Sequence, residues 1–239
     1  MNQNIRQMLA EAALQLGAVL SVHQQEQLIT FMEHLLDSNT RHNLTAITSP
    51  KDIIVKHFSD SLTLLPHIDK PGRTLVDVGT GAGFPGVVLA IARPKQQFCL
   101  MDSQAKRIAF ISEVCMRLGL ANVSAVKIRA EDAGRSPKYR DCFDFATARA
   151  VAPLAALAEY SLPLVKPGGC FFAMKGPSPD EEIKAALPTI DALGAELIGV
   201  GKTTLPFSDI NHSILLIEKL IPTPAGFPRS QTRIKRNLR

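Results

Sequence analysis

Nowhere in the 239 residues does an apolar run approach the roughly 18 residues that a membrane-crossing helix requires. The most apolar stretch, residues 148–165, is broken by Arg149, Pro153, Glu159 and Pro163. The first residues, Met1 to Gln7, contain no apolar core of the secretory kind. A soluble, cytoplasmic protein with no membrane contact is therefore expected. Cysteine is sparse as well. Cys99, Cys115, Cys142 and Cys170 are widely spaced and form no C-x-x-C pair, which argues against a disulfide framework or a zinc cluster. Cys99 and Cys170 sit inside apolar runs, where a free thiol serves as a small hydrophobe. Acidic residues are missing from the end of the chain: Lys219, Arg229, Arg233, Lys235, Arg236 and Arg239 follow Glu218 without a single carboxylate between them. This concentrates the net charge of +5 in one segment. Such a segment is either a phosphate-binding arm working through counterion release or a solvated terminus.

What is present is a pattern. Ile5, Met8, Leu9, Ala12, Ala13 and Leu16 recur at helical spacing before Gly17, and Ser21 with Gln24 forms a capping box for a second helix. Leu28, Phe31, Met32, Leu35 and Leu36 supply that helix's buried stripe, and a further helix is expected over residues 51–65. From residue 74 short apolar strands alternate with helices: strands at 74–78, 97–101, 123–128, 143–148 and 170–174. Helices are expected between them, one of them capped by Ser103, and another over residues 153–164. The last two strands, 196–203 and 213–218, are joined by too few residues for a parallel crossover, so they form an antiparallel hairpin. The pattern predicts an α/β, Rossmann-like fold with a mostly parallel sheet, a C-terminal antiparallel hairpin and N-terminal helices. Residues 1–66 read as a helical cap, 67–221 as the core and 222–239 as a basic tail, with cap and core forming one compact, monomeric domain.

The turn Asp77-Val-Gly-Thr-Gly-Ala-Gly-Phe-Pro-Gly86 follows the first of these strands. Gly81, Gly83 and Gly86 satisfy G-x-G-x-x-G, the fingerprint of dinucleotide sites. Two residues oppose a pyrophosphate. Asp77 brings a carboxylate to the strand end, and Pro85 removes an N–H where phosphates are normally cradled. A nucleotide-dependent oxidoreductase is thus disfavoured. S-adenosyl-L-methionine, which has no phosphate and carries an ammonium and a sulfonium, suits the turn better, so the fold is expected to be that of a class I S-adenosylmethionine-dependent methyltransferase. Asp102 ends the second strand and would accept from ribose hydroxyls, or else serve as a helix N-terminal charge. Ala130-Glu131-Asp132 would face the adenine, or form a solvated loop.

Taken in order, Asn43-Leu-Thr45, His57-Phe-Ser-Asp-Ser61, the glycine turn, Asp102-Ser with Lys106-Arg107, Arg129-Ala-Glu131, Arg149-Ala-Val151, Lys175-Gly176 and Phe227-Pro-Arg229 are specific. This set resembles the bacterial small-subunit ribosomal RNA guanine-N7 methyltransferases, the RsmG or glucose-inhibited division protein B family, from about Asn43 to Pro228. The resemblance implies methylation of N7 on one guanine, nucleotide 527 in the usual count, in 16S rRNA or the small subunit. It also implies cofactor contacts at Gly79, Phe84, Ala130, Glu131 and Arg149, with Asp77, Gly81 and Asp102 added by the reasoning above. After Phe227-Pro-Arg229 the chain departs from the glycine- and proline-containing tail common in the family.

Guanine N7 has a lone pair and no proton, so methyl transfer to it needs alignment and charge placement rather than a general base. The absence of a Ser-His-Asp or Cys-His pattern is therefore no obstacle. Arg129, Arg149 and Lys175 each follow a strand, on the edge where α/β proteins bind ligands, and are the candidate catalytic residues. Arg149 is placed near the methionine end of the cofactor, with Arg129 and Lys175 toward RNA. Arg149→Ala is expected to spare the fold and abolish transfer. His57 and Asp60 share a helix face and would help close the site, without a third ligand for a metal. With no tryptophan and two tyrosines, Phe84 and Phe227 are the candidates for stacking on a base.

Overall fold

The computed structural model describes residues 3–149 and 152–236, with nothing described of the side chains of Lys235 and Arg236. Helix α1 (Gln3–Gln15) ends at Gly17, which takes a φ of 73°. Helix α2 (Val22–His42) begins with the expected capping box: the Gln24 amide donates to Ser21 Oγ and the Ser21 amide donates to Gln24 Oε1. Their apolar stripes meet in one core, where Leu9, Leu28, Phe31, Met32 and Leu35 have no exposed surface.

The single helix expected over residues 51–65 is interrupted. Helix α3 (Pro50–Ile53) widens into a π-helical turn, Ile54–Ser59, before α4 (Asp60–Leu62) and α5 (Leu65–Ile68). Hydroxyls take up carbonyls there: Ser61 Oγ donates to the His57 carbonyl at 2.6 Å and Thr63 Oγ1 to that of Asp60 at 2.5 Å. The periodicity of apolar residues carries no sign of such side-chain bonds, which compete with regular helix.

Seven strands form one sheet: β1 (Thr74–Val78), β2 (Gln97–Asp102), β3 (Val123–Lys127), β4 (Phe143–Arg149), β5 (Val165–Lys175), β6 (Ala195–Thr204) and β7 (Asn211–Lys219). Their order is β3-β2-β1-β4-β5-β7-β6, parallel except for β7, which runs antiparallel to both neighbours. The hairpin is as expected. Helices α6 (Gly86–Ala92) and α7 (Ala105–Leu118) join α1 and α2 on one face; α9 (Leu154–Ser161) and α10 (Asp180–Ala192) cover the other. The first helix of the second face is therefore shorter than expected: residues 162–164 form a 3-10 turn, and β5 starts directly after it. Helix α7 is not capped by Ser103. Its cap residue is Gln104, whose amide donates to Asp102 Oδ1 at 2.8 Å.

Strand alternation assigns each β1 side chain to a face. Leu75 joins the α6 side and Val76 and Val78 join the other, so Asp77 lies under α6 with Leu75. Asp77 has no exposed surface, and its Oδ2 accepts from the Gly86 amide at 2.9 Å. The expectation that it faces the cofactor's positive charge is thus corrected.

The basic tail is docked rather than free through Ile234, which is itself buried. Lys219 has no exposed surface and its Nζ donates to Asp141 Oδ1, Thr223 Oγ1 and the carbonyls of Leu162 and Val165. Arg229 makes a forked pair with buried Glu159, and Arg140 donates to the carbonyls of Gly134, Thr223 and Phe227. Helix α8 (Ala130–Arg135) and the closing helix α11 (Gln231–Arg236) are brought near each other by this docking. Ion pairing of two of the six tail cations, Lys219 buried and Arg229 half-buried, overturns the picture of a wholly solvated terminus.

A methyl group at Gly86 would fall 2.1 Å from Leu100 Cδ2 and 2.7 Å from Asp77 Oδ2. Gly86→Ala is therefore expected to lower unfolding free energy by about 2 kcal/mol or more through overpacking. Urea denaturation followed by circular dichroism measures it, and an unshifted midpoint would show that α6 can move away from β2.

Candidate functional site

Beyond β1 the chain turns through Gly79, Gly81 and Gly83, all with positive φ, which glycine adopts without steric cost. The amides of this turn point into the protein. Gly79 and Thr80 donate to the Met101 carbonyl, Gly83 and Phe84 to that of Thr80, and Val87 to that of Gly83. Gly81 donates to Asp102 Oδ2 at 3.1 Å and Gly86 to Asp77. Pro85 has no amide to offer. A diphosphate needs several free N–H groups at this place, and six of the turn's amides, those of Gly79, Thr80, Gly81, Gly83, Phe84 and Gly86, are already spent on its own shape.

Outside the carboxyl ends of β1, β2 and β3 lies a cavity of about 430 Å³. Gly79, Asp102, Arg129, Ala130 and Glu131 border it, so five of the residues selected from the sequence converge there. Asp102 is 4% exposed; besides Gly81 and Gln104 it accepts from Arg107 Nη1 at 3.2 Å. Three donors leave one of its four acceptor positions open. Glu131 is 7% exposed, and no hydrogen bond or ion pair among the described residues takes up its carboxylate. Met101, Ile128 and Ala156 add apolar wall. Arg129 is exposed at the rim, with a long 3.5 Å contact to Gln231 Oε1.

Arg149 and Lys175 border a second cavity of about 410 Å³, together with His57, Asp60 and His212. Arg149 Nη1 donates to Asp60 Oδ2 at 2.8 Å and Nη2 lies 3.2 Å from His57 Nδ1. Nδ1 is also 3.2 Å from the Lys56 carbonyl, so it accepts from the guanidinium in one tautomer and donates to that carbonyl in the other, while Nε2 stands 2.9 Å from Thr45 Oγ1, which can donate or accept. The π-helical turn presents His57 and the start of α4 presents Asp60 to Arg149, as their shared face suggested. Phe84 is 4% exposed beneath this group, stacked on His57 at 4.3 Å with Arg149 over its ring at 5.2 Å. It borders neither cavity and is too buried to stack on a base, which corrects that expectation. Phe227 is likewise half-buried under the guanidinium of Arg229. Gly81 acts through its amide on Asp102. Lys175 donates to Glu182 Oε1 at 2.7 Å and to the Ala152 carbonyl at 3.0 Å, so its charge is already paired.

The sequence reading passed over Tyr160 and Gln231 at the first cavity and His212 at the second. Tyr160 occurs in a helical apolar stripe, and the other two come from segments whose docking no local pattern signals.

The model of the family described as rRNA small subunit methyltransferase G matches residues 24–204. The chain belongs to that family. Curated relatives named ribosomal RNA small subunit methyltransferase G include one from Alkaliphilus metalliredigens (strain QYMF), 44% identical with 94% of each chain covered, and one from Acetivibrio thermocellus, 41% identical with 98% of this chain and 96% of the relative covered. Among solved structures, a geranyl diphosphate C-methyltransferase from Streptomyces coelicolor A3(2), bound to S-adenosyl-L-homocysteine, superposes with a TM-score of 0.54 at 12% identity, over 68% of this chain and 79% of that one. The [4+2]-cyclase SpnF does so with a TM-score of 0.56 at 16% identity, over 85% and 98%. The fold is the Rossmann-like one of class I methyltransferases, and since it also serves a cyclase, activity in this family has to be argued from the site.

Removing Arg149 from this family member would strand Asp60 as a buried charge, a change that typically costs about 3–5 kcal/mol. This argues against the expectation that Arg149→Ala spares the fold. Burial and the neighbouring Arg149 charge push the His57 pKa from 6.5 down to about 4. The unfolded chain therefore takes up a proton first as pH falls, and between pH 7 and 5 His57 lowers stability by about 2 kcal/mol. Asp77 works in the opposite sense. Burial raises its pKa from 3.8 to about 6, so acidification over the same interval restores about 1 kcal/mol. Subtracting the unfolding free energy of His57→Gln from that of the unaltered protein isolates the first effect. The difference is expected to shrink by about 2 kcal/mol from pH 7 to 5, and a pH-independent difference would rule out a neutral, depressed His57.

Proposed function

We propose that this protein transfers a methyl group from S-adenosyl-L-methionine to N7 of a guanine in 16S ribosomal RNA, nucleotide 527 in the usual count. The observation that carries the reading is the polarity of the glycine turn: the amides of Gly79, Thr80, Gly81, Gly83, Phe84 and Gly86 are consumed internally, while two buried carboxylates, Asp102 and Glu131, border the cavity above it. A site of that charge favours a phosphate-free nucleoside bearing positive charge over a dinucleotide.

The residues present fit such a group. Glu131 is a buried acceptor with no partner among the described residues, and Asp102 keeps one acceptor position free. Asp102 and Glu131 would take hydroxyl and amino donors, Gly79 would allow close approach of the backbone, and Ala130 with the apolar wall would enclose a flat base. When bound, S-adenosyl-L-methionine supplies an electrophilic methyl on a sulfonium, which the N7 lone pair displaces directly. The chain's own contribution is to hold geometry. Arg149, pinned by Asp60 and His57, fixes the sheet edge between the two cavities. Lys175 contributes by holding the Ala152 carbonyl, while Arg129, exposed at the rim, is the candidate for an RNA phosphate. A ribosomal substrate supports a cytoplasmic location, and the protein is taken to act as a single chain.

Labelled methyl from S-adenosyl-L-methionine is expected to reach unmodified small-subunit particles and to be recovered as 7-methylguanosine at one rRNA position. Label at another atom or in another polymer would overturn the assignment. Glu131→Ala is expected to weaken S-adenosyl-L-homocysteine binding by calorimetry at least about tenfold, with particle binding retained; an unchanged affinity would place the cofactor elsewhere. Arg129→Ala should leave cofactor binding alone, weaken particle binding and lower the salt slope of that binding by about one.

A further inference from the structure

The second cavity holds an acid that the cofactor cavity does not use. Asp60 is 1% exposed, and its two oxygens are in different situations. Oδ2 accepts from Arg149, whereas Oδ1 is buried without a hydrogen bond among the described residues. His212 Nδ1 stands 2.5 Å from Oδ1 but outside hydrogen-bond alignment. An acceptor oxygen in that position is costly unless a donor arrives. The cavity is a neighbour of the first one, with which it shares no lining residue: Ala152 borders the first, and its carbonyl accepts from Lys175, which borders the second.

Building on the methyl-transfer reading above, we propose that the second cavity seats the acceptor base and that Asp60 is the residue that selects guanine. Guanine alone among the four bases carries two adjacent donors, N1–H and the 2-amino group, on one edge. That edge is remote from N7, so a carboxylate holding it leaves the N7 lone pair free. Adenine would present its N1 lone pair to Oδ1 instead, and cytosine and uracil offer one donor each. Arg149 remains on Oδ2 and compensates the charge, with apolar contact to the base from Met174. His212, whose side chain is 25% exposed, stands where the donors would be and swings aside when the base enters. It lies beyond residues 24–204, the span matched by the family model.

The test uses small subunits reconstituted with 16S rRNA bearing either guanosine or inosine at the acceptor position. Inosine keeps N7 and N1–H and lacks only the 2-amino group. The unaltered protein is expected to methylate the guanosine particle about tenfold faster or more. In Asp60→Asn the amide must turn either its oxygen or its NH2 toward the base. Arg149 claims the oxygen, so the NH2 meets guanine's donors and the ratio falls to about one whatever the overall rate. A purely structural Asp60 would slow both particles alike, and an unchanged ratio overturns the proposal. Should Asp60→Asn fail to fold, His212→Ala serves instead: freeing Oδ1 should lower KM for the guanosine particle by about threefold with guanosine preference kept, and a raised KM overturns it. Failure of the unaltered protein to methylate the guanosine particle would remove the methyl-transfer reading itself, whereas methylation without preference for guanosine removes only the role of Asp60.

Discussion

The contact between Asp60 and Arg149 is the charged tie between two distant parts of the chain at the switch point of the sheet. Asp60 comes from an interrupted helix before the first strand, and Arg149 is the last residue of β4. A carboxylate with 1% exposure cannot remain charged there without a cation, and the guanidinium needs its fork filled to stay rigid. His57 takes the other arm because it is held neutral, by burial first and by the Arg149 charge second. Phe84 supplies the floor under both. The N-terminal helices are thus tied to the carboxyl edge by charge as well as by their apolar stripe, and both cavities depend on that edge being fixed.

The glycine turn illustrates how a motif can be read correctly for a partly mistaken reason. Asp77 and Pro85 disfavour a pyrophosphate, yet Asp77 achieves this from beneath the turn. Its carboxylate consumes the Gly86 amide and fills the space where a Cβ on residue 86 would sit. The remaining amides close the turn on itself. The backbone therefore offers few donors to an anion there, and Asp102 and Glu131 stand on the open side.

The C-terminal segment shows the opposite relation between charge and role. A run of cations without carboxylates invites a nucleic-acid arm, but charge counted along a chain ignores acids that come from elsewhere. Glu159 on α9 and Asp141 before β4 claim Arg229 and Lys219, and Arg140 binds the intervening carbonyls. The result brings Gln231 to the rim of the first cavity.

The α/β alternation, the parallel sheet, the closing hairpin and the capping box at Ser21 were legible because each is set by local periodicity or by loop length. That Asp102, Ala130 and Glu131 reach one edge was legible because the ends of consecutive parallel strands must share it, while Gly79 was named through the family resemblance. Local pattern thus carried the strands, most of the helices and the residues that reach the carboxyl edge, but not the interrupted helix before β1. Tertiary structure alone decided which side chains there remain available. Arg229 found an acid from a distant segment, Phe84 was covered by two helices, and His212 arrived against Asp60 through a strand that runs antiparallel. These outcomes rest on contacts across about 20 to 150 residues of chain, between groups whose charge or polarity is common on any surface, so no spacing or local pattern could encode them.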